Sequence, residues 1–166
     1  MRALTPALII AGSLAVSAPA RAAVELKEGD PAPAFSTTGD DGKEYSLAAL
    51  KGKVVVLYFY PKDDTPGCTV EAKEFRDSRD QFQTHDAVVL GVSTDDAESH
   101  AAFRKKHQLN FPLLVSGDAI AKAYGVPVTL GFASRQTFVI GKDGRIKKIF
   151  RKVTPKGHSA EILPIL

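Results

Sequence analysis

The chain has 166 residues, a formal charge of +3 at neutral pH and one cysteine, Cys68. Residues 1–22 are a predicted leader, and without them the chain has 20 basic and 19 acidic residues. A net charge this close to zero gives no reason to expect a nucleic-acid partner. The length suits one domain, and the lone cysteine excludes an internal disulfide.

The N-terminal segment has the three-part order of a secretory signal peptide. A basic start is followed by an apolar stretch at 7–16 and then by small residues that suit cleavage after Ala22 or, as the alternative, after Ala20. A membrane anchor is disfavoured because the stretch is shorter than the roughly 20 residues needed to span a bilayer. We therefore expect a cleaved signal peptide over 1–22, a periplasmic domain over 23–166 and no stable membrane association.

The elements predicted after the leader alternate between strands and helices. The unbroken apolar run at 54–60 is typical of a strand covered on both faces, so we place it at the centre of the sheet. The order predicts an α/β fold that resembles the thioredoxin-like topology, with a mixed central sheet flanked by helices. In chain order the predicted elements are a hairpin over 35–45, a helical turn at 46–50, the central strand at 54–60, a helix from Cys68 to about Gln83, a strand at 88–93, a helix at 97–107, a strand at 113–116, a helix at 118–124, a hairpin over 135–150 and a closing helix at 159–166.

Cys68 lies where the central strand gives way to a helix, and ligands of open α/β sheets bind at the carboxyl ends of strands. Thr65 suits an N-cap and Pro66 the first helical position, which puts Cys68 in the first turn. A thiolate there, which is the nucleophilic form, faces unpaired backbone N–H groups and the positive end of the helix dipole. The alternative is an inert core cysteine. The approach through Thr65, Pro66 and Gly67 favours the reactive interpretation.

The segment 60–77, YPKDDTPGCTVEAKEFRD, resembles the peroxiredoxins, and among them the bacterioferritin comigratory protein or peroxiredoxin Q subgroup. The family motif Pro-x-x-x-Thr-x-x-Cys is matched by Pro61, Thr65 and Cys68. The resemblance extends over essentially the whole chain after the leader. It implies a thiol peroxidase that reduces hydrogen peroxide and organic hydroperoxides and takes part in antioxidant defence, without a metal or an organic cofactor.

The resemblance also implies a role for each matching position. Cys68 corresponds to the peroxidatic cysteine, Thr65 to the residue whose hydroxyl binds the peroxide, and Pro61 to the residue that shields the thiolate from water. Arg135 matches the active-site arginine, whose permanent charge would stabilise the thiolate and polarise the peroxide, and Glu71 would orient Arg135. Taken singly, Thr65, Pro61 and Arg135 are better explained as a helix cap, a strand end and a solvated charge. Their joint spacing with Cys68 favours the catalytic roles.

The chain departs from the subgroup where many members carry a second, resolving cysteine. Lys73 stands at that position, five residues after Cys68. We therefore expect a one-cysteine cycle in which an external thiol, thioredoxin-like, glutaredoxin-like or glutathione, resolves a sulfenic acid. The alternatives are a redox sensor that forms mixed disulfides and a binding protein with a structural cysteine. A second departure, the short loop at 127–133, leaves substrate preference and oligomeric contacts open.

Other motifs are weak. His100 and His107 share one predicted helix but lie about 10 Å apart along its axis, too far to hold one metal. The sequence has no Cys-x-x-Cys pair, no glycine-rich phosphate loop and no GxGxxG. We therefore expect neither a disulfide exchanger nor a nucleotide-binding enzyme.

Overall fold

The computed structural model describes residues 25–166, so the predicted leader and its cleavage site lie outside the described residues. Within this range the chain forms nine strands, five α-helices and a short 3₁₀ turn. The strands are β1 (Ser36–Thr38), β2 (Glu44–Ser46), β3 (Val54–Phe59), β4 (Ala87–Val92), β5 (Leu113–Leu114), β6 (Val128–Thr129), β7 (Phe132–Ala133), β8 (Gln136–Ile140) and β9 (Ile146–Phe150). The helices are α1 (Pro66–Asp77), α2 (Arg79–Thr84), α3 (Ala97–His107), α4 (Gly117–Ala123) and α5 (His158–Ile162), and the 3₁₀ turn is Leu163–Ile165.

Five of the strands form one mixed sheet in the order β5-β4-β3-β8-β9. β3 runs parallel to β4, β4 runs parallel to β5, and β8 is antiparallel to both β3 and β9. All six residues of β3 are buried, because this strand is covered on both faces. The predicted α/β fold with a mixed central sheet is confirmed.

Alternate side chains of β3 point to opposite faces of the sheet and belong to two hydrophobic cores. On one face Val56 packs in a core with Phe75 of α1 and Phe103 of α3. On the other face Leu57 packs in a core with Tyr124, which follows α4. Burial of one such side chain stabilises the fold by about 1.5–3 kcal/mol. The two cores therefore fix β3, and with it the start of the loop that leaves its carboxyl end.

The predicted helix from Cys68 to about Gln83 forms as two helices, α1 and α2, which meet at Ser78. The Ser78 backbone leaves the helical region, with φ −92° and ψ 6°, and its hydroxyl donates to Ser159 Oγ over 3.1 Å. The apolar side chains Ala72, Phe75 and Phe82 of these helices are buried, whereas Arg79 is exposed. Periodicity did not indicate the break, because both helices keep an apolar face towards the same core.

Two other segments differ from their predicted form. The predicted helical turn at 46–50 does not form: Ser46 ends β2, and 47–50 form turns with the Leu50 N–H donating to the Leu47 carbonyl. The segment 127–133, predicted as a loop, forms the β6–β7 hairpin. Within residues 25–166, none of the helices combines the length and the apolar character that a membrane crossing requires.

Candidate active site

The candidate site is built on the connection between β3 and α1. Pro66 opens α1 because its fixed φ and missing N–H suit the first helical position. Cys68, two residues further on, lies in the first turn of the helix and is 1% exposed. The predicted cap at Thr65 is present only in backbone form. Its hydroxyl donates to the Lys62 carbonyl over 2.9 Å and makes no capping bond to the helix.

Arg135 reaches the cysteine from the neighbouring strand. Gln136 of β8 lies opposite Phe59 of β3, so Arg135, the preceding residue, stands at the carboxyl end of the central strand. Its Nη2 donates to Cys68 Sγ over 3.2 Å. The tertiary structure thus brings a permanent cation against a sulfur that is 67 positions away in the chain.

Glu71 holds the other side of the same guanidinium. Arg135 Nη1 donates to Glu71 Oε2, while Glu71 is fully buried. Burial raises the pKa of Glu71 to about 7, and the charge of Arg135 opposes this rise. Near neutral pH the carboxyl group therefore exchanges between its charged and neutral forms, and the charged form binds Arg135 more strongly. The structure brings Cys68, Arg135 and Glu71 into one connected group.

The remaining predicted residues lie in the connection between β3 and α1. Pro61 is half-buried directly after Tyr60, and Thr65 is half-buried directly before α1. A β-carbon built at Gly67 would lie 3.4 Å from Arg135 Nη2, which is ordinary contact distance. The guanidinium therefore passes close to the first turn of α1.

A buried polar network beneath the loop was missed by the sequence reasoning. Asp63 Oδ2 lies 2.8 Å from His100 Nδ1, and the Tyr60 hydroxyl donates to Asp63 Oδ1 over 2.7 Å. The backbone N–H of Asp63 donates to Asp95 Oδ2 over 2.8 Å. These bonds join the loop before Cys68 to α3 and to the segment after β4. The only signal in the sequence was the pair His100 and His107, which had been considered as metal ligands.

The two histidines make separate contacts. His107 Nε2 lies 2.7 Å from Asp64 Oδ1, whereas His100 is bound to Asp63. No group of three His, Cys, Asp or Glu side chains is placed to hold a metal ion in the part of the chain that the structure describes.

Two buried oxygens beside the site have no hydrogen-bond partner among the described residues, namely Glu71 Oε1 and the Tyr58 hydroxyl. Burial raises the pKa of Tyr58 well above its ordinary value, and the charge of Glu71 adds to the rise. The hydroxyl therefore keeps its proton. Its ring stacks on Tyr60 and contacts Phe75 at a centroid distance of 4.7 Å, which fixes it within the core.

Comparison with known proteins connects this geometry to a family. The model of the AhpC/TSA family matches residues 28–149. Peroxiredoxin Bcp of Bacillus subtilis is 47% identical over 149 residues, which cover 85% of this chain and 95% of that protein. The crystal structure of peroxidoxin BcpB from Mycobacterium tuberculosis has a TM-score of 0.79 at 32% identity, covering 85% of this chain and 96% of that one.

A structure of the bacterioferritin comigratory protein of Xanthomonas campestris, described for its alkyl peroxide reduction activity, has a TM-score of 0.74 at 33% identity over 78% of this chain and 88% of that one. These relatives confirm the predicted thioredoxin-like fold and the predicted subgroup. The cysteine stands at the start of a helix beside an arginine, and the family model matches most of the described residues. The chain therefore belongs to the AhpC/TSA family, with relatives among the Bcp and Q peroxiredoxins.

Proposed function

We propose that this protein is a one-cysteine thiol peroxidase that reduces hydrogen peroxide and organic hydroperoxides at Cys68. The observation that carries the proposal is the 3.2 Å contact between Cys68 Sγ and Arg135 Nη2 at the start of α1. The named relatives support the same activity, since they are called peroxiredoxin and peroxidoxin and one is described for alkyl peroxide reduction.

Peroxide reduction begins when the Cys68 thiolate attacks one oxygen of the peroxide. An S–O bond forms, the O–O bond breaks, and the leaving oxygen takes up a proton and departs as water or as an alcohol. The sulfur is oxidised to a sulfenic acid. The Arg135 guanidinium and the unpaired N–H groups of α1 favour this step, because they place positive charge beside the thiolate and the departing oxygen.

The other predicted residues support this step. Glu71 holds the Arg135 guanidinium on the side away from the sulfur and so acts as a positioning residue. Thr65 has a hydroxyl whose proton is engaged by the Lys62 carbonyl, which leaves its oxygen lone pairs free to accept a hydrogen bond from a peroxide. Pro61, half-buried at the start of the loop, limits the access of water.

The second half of the cycle requires an external thiol. The sequence has a single cysteine, so the sulfenic acid cannot be resolved within the chain. One thiol condenses with Cys68 and releases water, and a second thiol then frees Cys68 by disulfide exchange. The reductants that suit this scheme are a thioredoxin-like protein, a glutaredoxin-like protein or glutathione. The other candidate function is that of a sensor whose oxidised Cys68 stays in a mixed disulfide with a client; Lys73 at the resolving position favours it, and turnover separates the two.

We also propose that the protein acts in the periplasm after cleavage within its N-terminal segment. The support is the order of basic, apolar and small residues over 1–22. The intact mass of the protein recovered from a periplasmic extract tests this directly: a mass that starts at Ala23 is expected, and an uncleaved chain retained in the cytoplasm would refute it.

The first experiment on function mixes the reduced protein with an equimolar amount of hydrogen peroxide. Formation of the Cys68 sulfenic acid is followed by stopped flow and by intact mass, with Cys68→Ser as the control. Rapid stoichiometric oxidation that the control lacks is expected. Oxidation no faster than that of a free small thiol would refute the peroxidase and favour a structural cysteine.

A further inference from the structure

The β6–β7 hairpin has a turn that is unfavourable for its sequence. Val128 lies opposite Ala133 and Thr129 opposite Phe132, so the turn consists of Leu130 and Gly131. Both have positive φ, 53° and 81°, the combination of a type I′ turn. Asparagine, aspartate and glycine are the residues preferred at the first of these positions. Leu130 adopts this conformation and is 91% exposed.

Leu130 is one of a few large apolar side chains that solvent reaches. Among residues 25–166, four large apolar side chains are more than a third exposed: Val70, Val128, Leu130 and Phe132. Three of them are on the hairpin, and Val70 follows Cys68 by two positions on α1. We call these four residues the apolar rim.

The hairpin contacts the loop before α1 and the segment after β4. Lys62, in the loop before α1, places its Nζ 5.7 Å from the centre of the Phe132 ring. The Thr94 hydroxyl donates to the Gly131 carbonyl. Arg135, which contacts the sulfur, follows β7 by two residues. Phe132 of β7 therefore lies within reach of the loop that leads to Cys68.

We propose that the apolar rim is the docking surface for the protein that reduces oxidised Cys68, a thioredoxin-fold dithiol with an apolar surface around its own cysteines. This inference rests on the proposed peroxidase function and names the partner of the same site. The cycle needs an intermolecular thiol, since the chain has no second cysteine.

Burial of the cysteine favours a protein over a small thiol as that partner. Cys68 is 1% exposed, so a second sulfur must displace part of its surroundings before the two can meet. A partner can shift such an equilibrium only through differential binding to the opened form. Apolar contacts with the rim would supply that binding energy. A hydrophilic tripeptide such as glutathione has little apolar surface with which to make such contacts.

The electrons balance with one dithiol per cycle. The first partner thiolate attacks Cys68 Sγ, an S–S bond forms, and the S–O bond of the sulfenic acid breaks with release of water. The second thiol of the partner then attacks the partner sulfur that is bonded to Cys68, and the Cys68 thiolate is released. The partner leaves as a disulfide, having given two electrons.

The size of the rim suits a transient encounter. Four side chains with these exposures present on the order of 400 Å², about half of what each partner buries in a stable interface. Redox encounters are among the smallest specific interfaces. We therefore assign the surface to a passing reductant rather than to a second copy of this chain.

The test compares two reductants on the same oxidised protein. Turnover is measured with thioredoxin, kept reduced by NADPH and thioredoxin reductase, and with dithiothreitol, and the ratio of the two kcat/KM values is the readout. Leu130→Asn removes the apolar tip and suits the turn conformation, so this variant is expected to fold. We expect the ratio to fall about tenfold, the effect of losing one well-packed interface contact, and to fall further in Leu130→Asn combined with Phe132→Thr.

Two controls fix the interpretation. Leu130→Met keeps an apolar tip and is expected to keep the ratio. Lys142→Asn changes the turn at the opposite end of β8 and is expected to have no effect on the ratio.

An unchanged ratio in the double variant would overturn the proposal, as would a wild-type protein that thioredoxin reduces no faster than dithiothreitol. An equal fall in kcat/KM with thioredoxin and with dithiothreitol would also overturn the proposal. So would a wild-type dimer in solution that the Leu130→Asn substitution dissociates, because the surface would then serve contact between two copies of this chain. Sulfenic acid formation, measured without any reductant, separates these results from failure of the peroxidase itself.

Discussion

Replacing Arg135 with alanine removes the guanidinium whose Nη2 lies 3.2 Å from Cys68 Sγ. At that distance and an effective dielectric constant of 20, the attraction between a thiolate and a guanidinium is about 5 kcal/mol. Glu71 neutralises part of the arginine charge. We therefore take the net loss as similar to that of one preorganised oxyanion donor, about 2.7–4 kcal/mol or 10²–10³-fold in rate.

The fold of the variant is expected to survive because of Glu71. Without its arginine partner, a buried carboxylate would be strongly unfavourable. The pKa of Glu71 is already raised to about 7 by burial, and removal of Arg135 raises it further, so at neutral pH the group takes up a proton instead of unfolding the protein. The neutral acid is tolerated in this site.

The assay is stopped-flow measurement of the second-order rate constant for oxidation of Cys68 by hydrogen peroxide, with circular dichroism as the control for folding. Arg135→Lys, which keeps the charge but not the planar fork, is expected to fall between the wild type and Arg135→Ala. A folded Arg135→Ala protein that oxidises within a factor of three of the wild-type rate would refute the assigned role.

Three other predictions concern buried groups near the site. In the folded protein the pKa of Glu71 lies above its unfolded value of 4.5, so its contribution to stability is lost as pH rises from about 4.5 to 7. Burial lowers the pKa of His158, so the contribution of His158 to stability is instead lost as pH falls below the unfolded value of 6.5. Urea unfolding at pH 5 and pH 7.5 should therefore show that Glu71→Gln gains stability relative to wild type at the higher pH, and an identical pH dependence in the two proteins would contradict the raised pKa. His100→Leu removes one donor from Asp63, which keeps the Tyr60 and Ser99 hydroxyls, and should lower the free energy of unfolding by about 1–3 kcal/mol and slow oxidation of the cysteine. His100→Asn, which can still donate to Asp63, should restore most of both, and equal losses in the two variants would exclude the Asp63 bond as the cause. Tyr58→Phe removes a buried hydroxyl that has no partner within residues 25–166 and should leave the free energy of unfolding unchanged or raise it by about 1 kcal/mol. A clear loss of stability in urea unfolding would show that this hydroxyl is hydrogen-bonded.

The sequence by itself was enough to locate the central strand, the turn after it and the cysteine in the first turn of the following helix. These features depend on local properties, namely the unbroken apolar run in β3 and the fixed φ of Pro66 at the first helical position. Local patterns also placed α3 and the β8–β9 hairpin. They failed at Ser78, where a helix break depends on a contact with Ser159 from the far end of the chain.

Arg135 was assigned to the candidate site from the family resemblance, because no spacing in the chain relates it to Cys68. Only the register of β8 against β3 brings the guanidinium to the sulfur, and only burial of Glu71 gives that carboxyl group its raised pKa. The Asp63–His100 pair and the exposed tip at Leu130 were equally invisible before the fold was known. Distances between segments far apart in the sequence, and the burial that sets their charges, are properties of the packed chain, and it is these properties that complete the site.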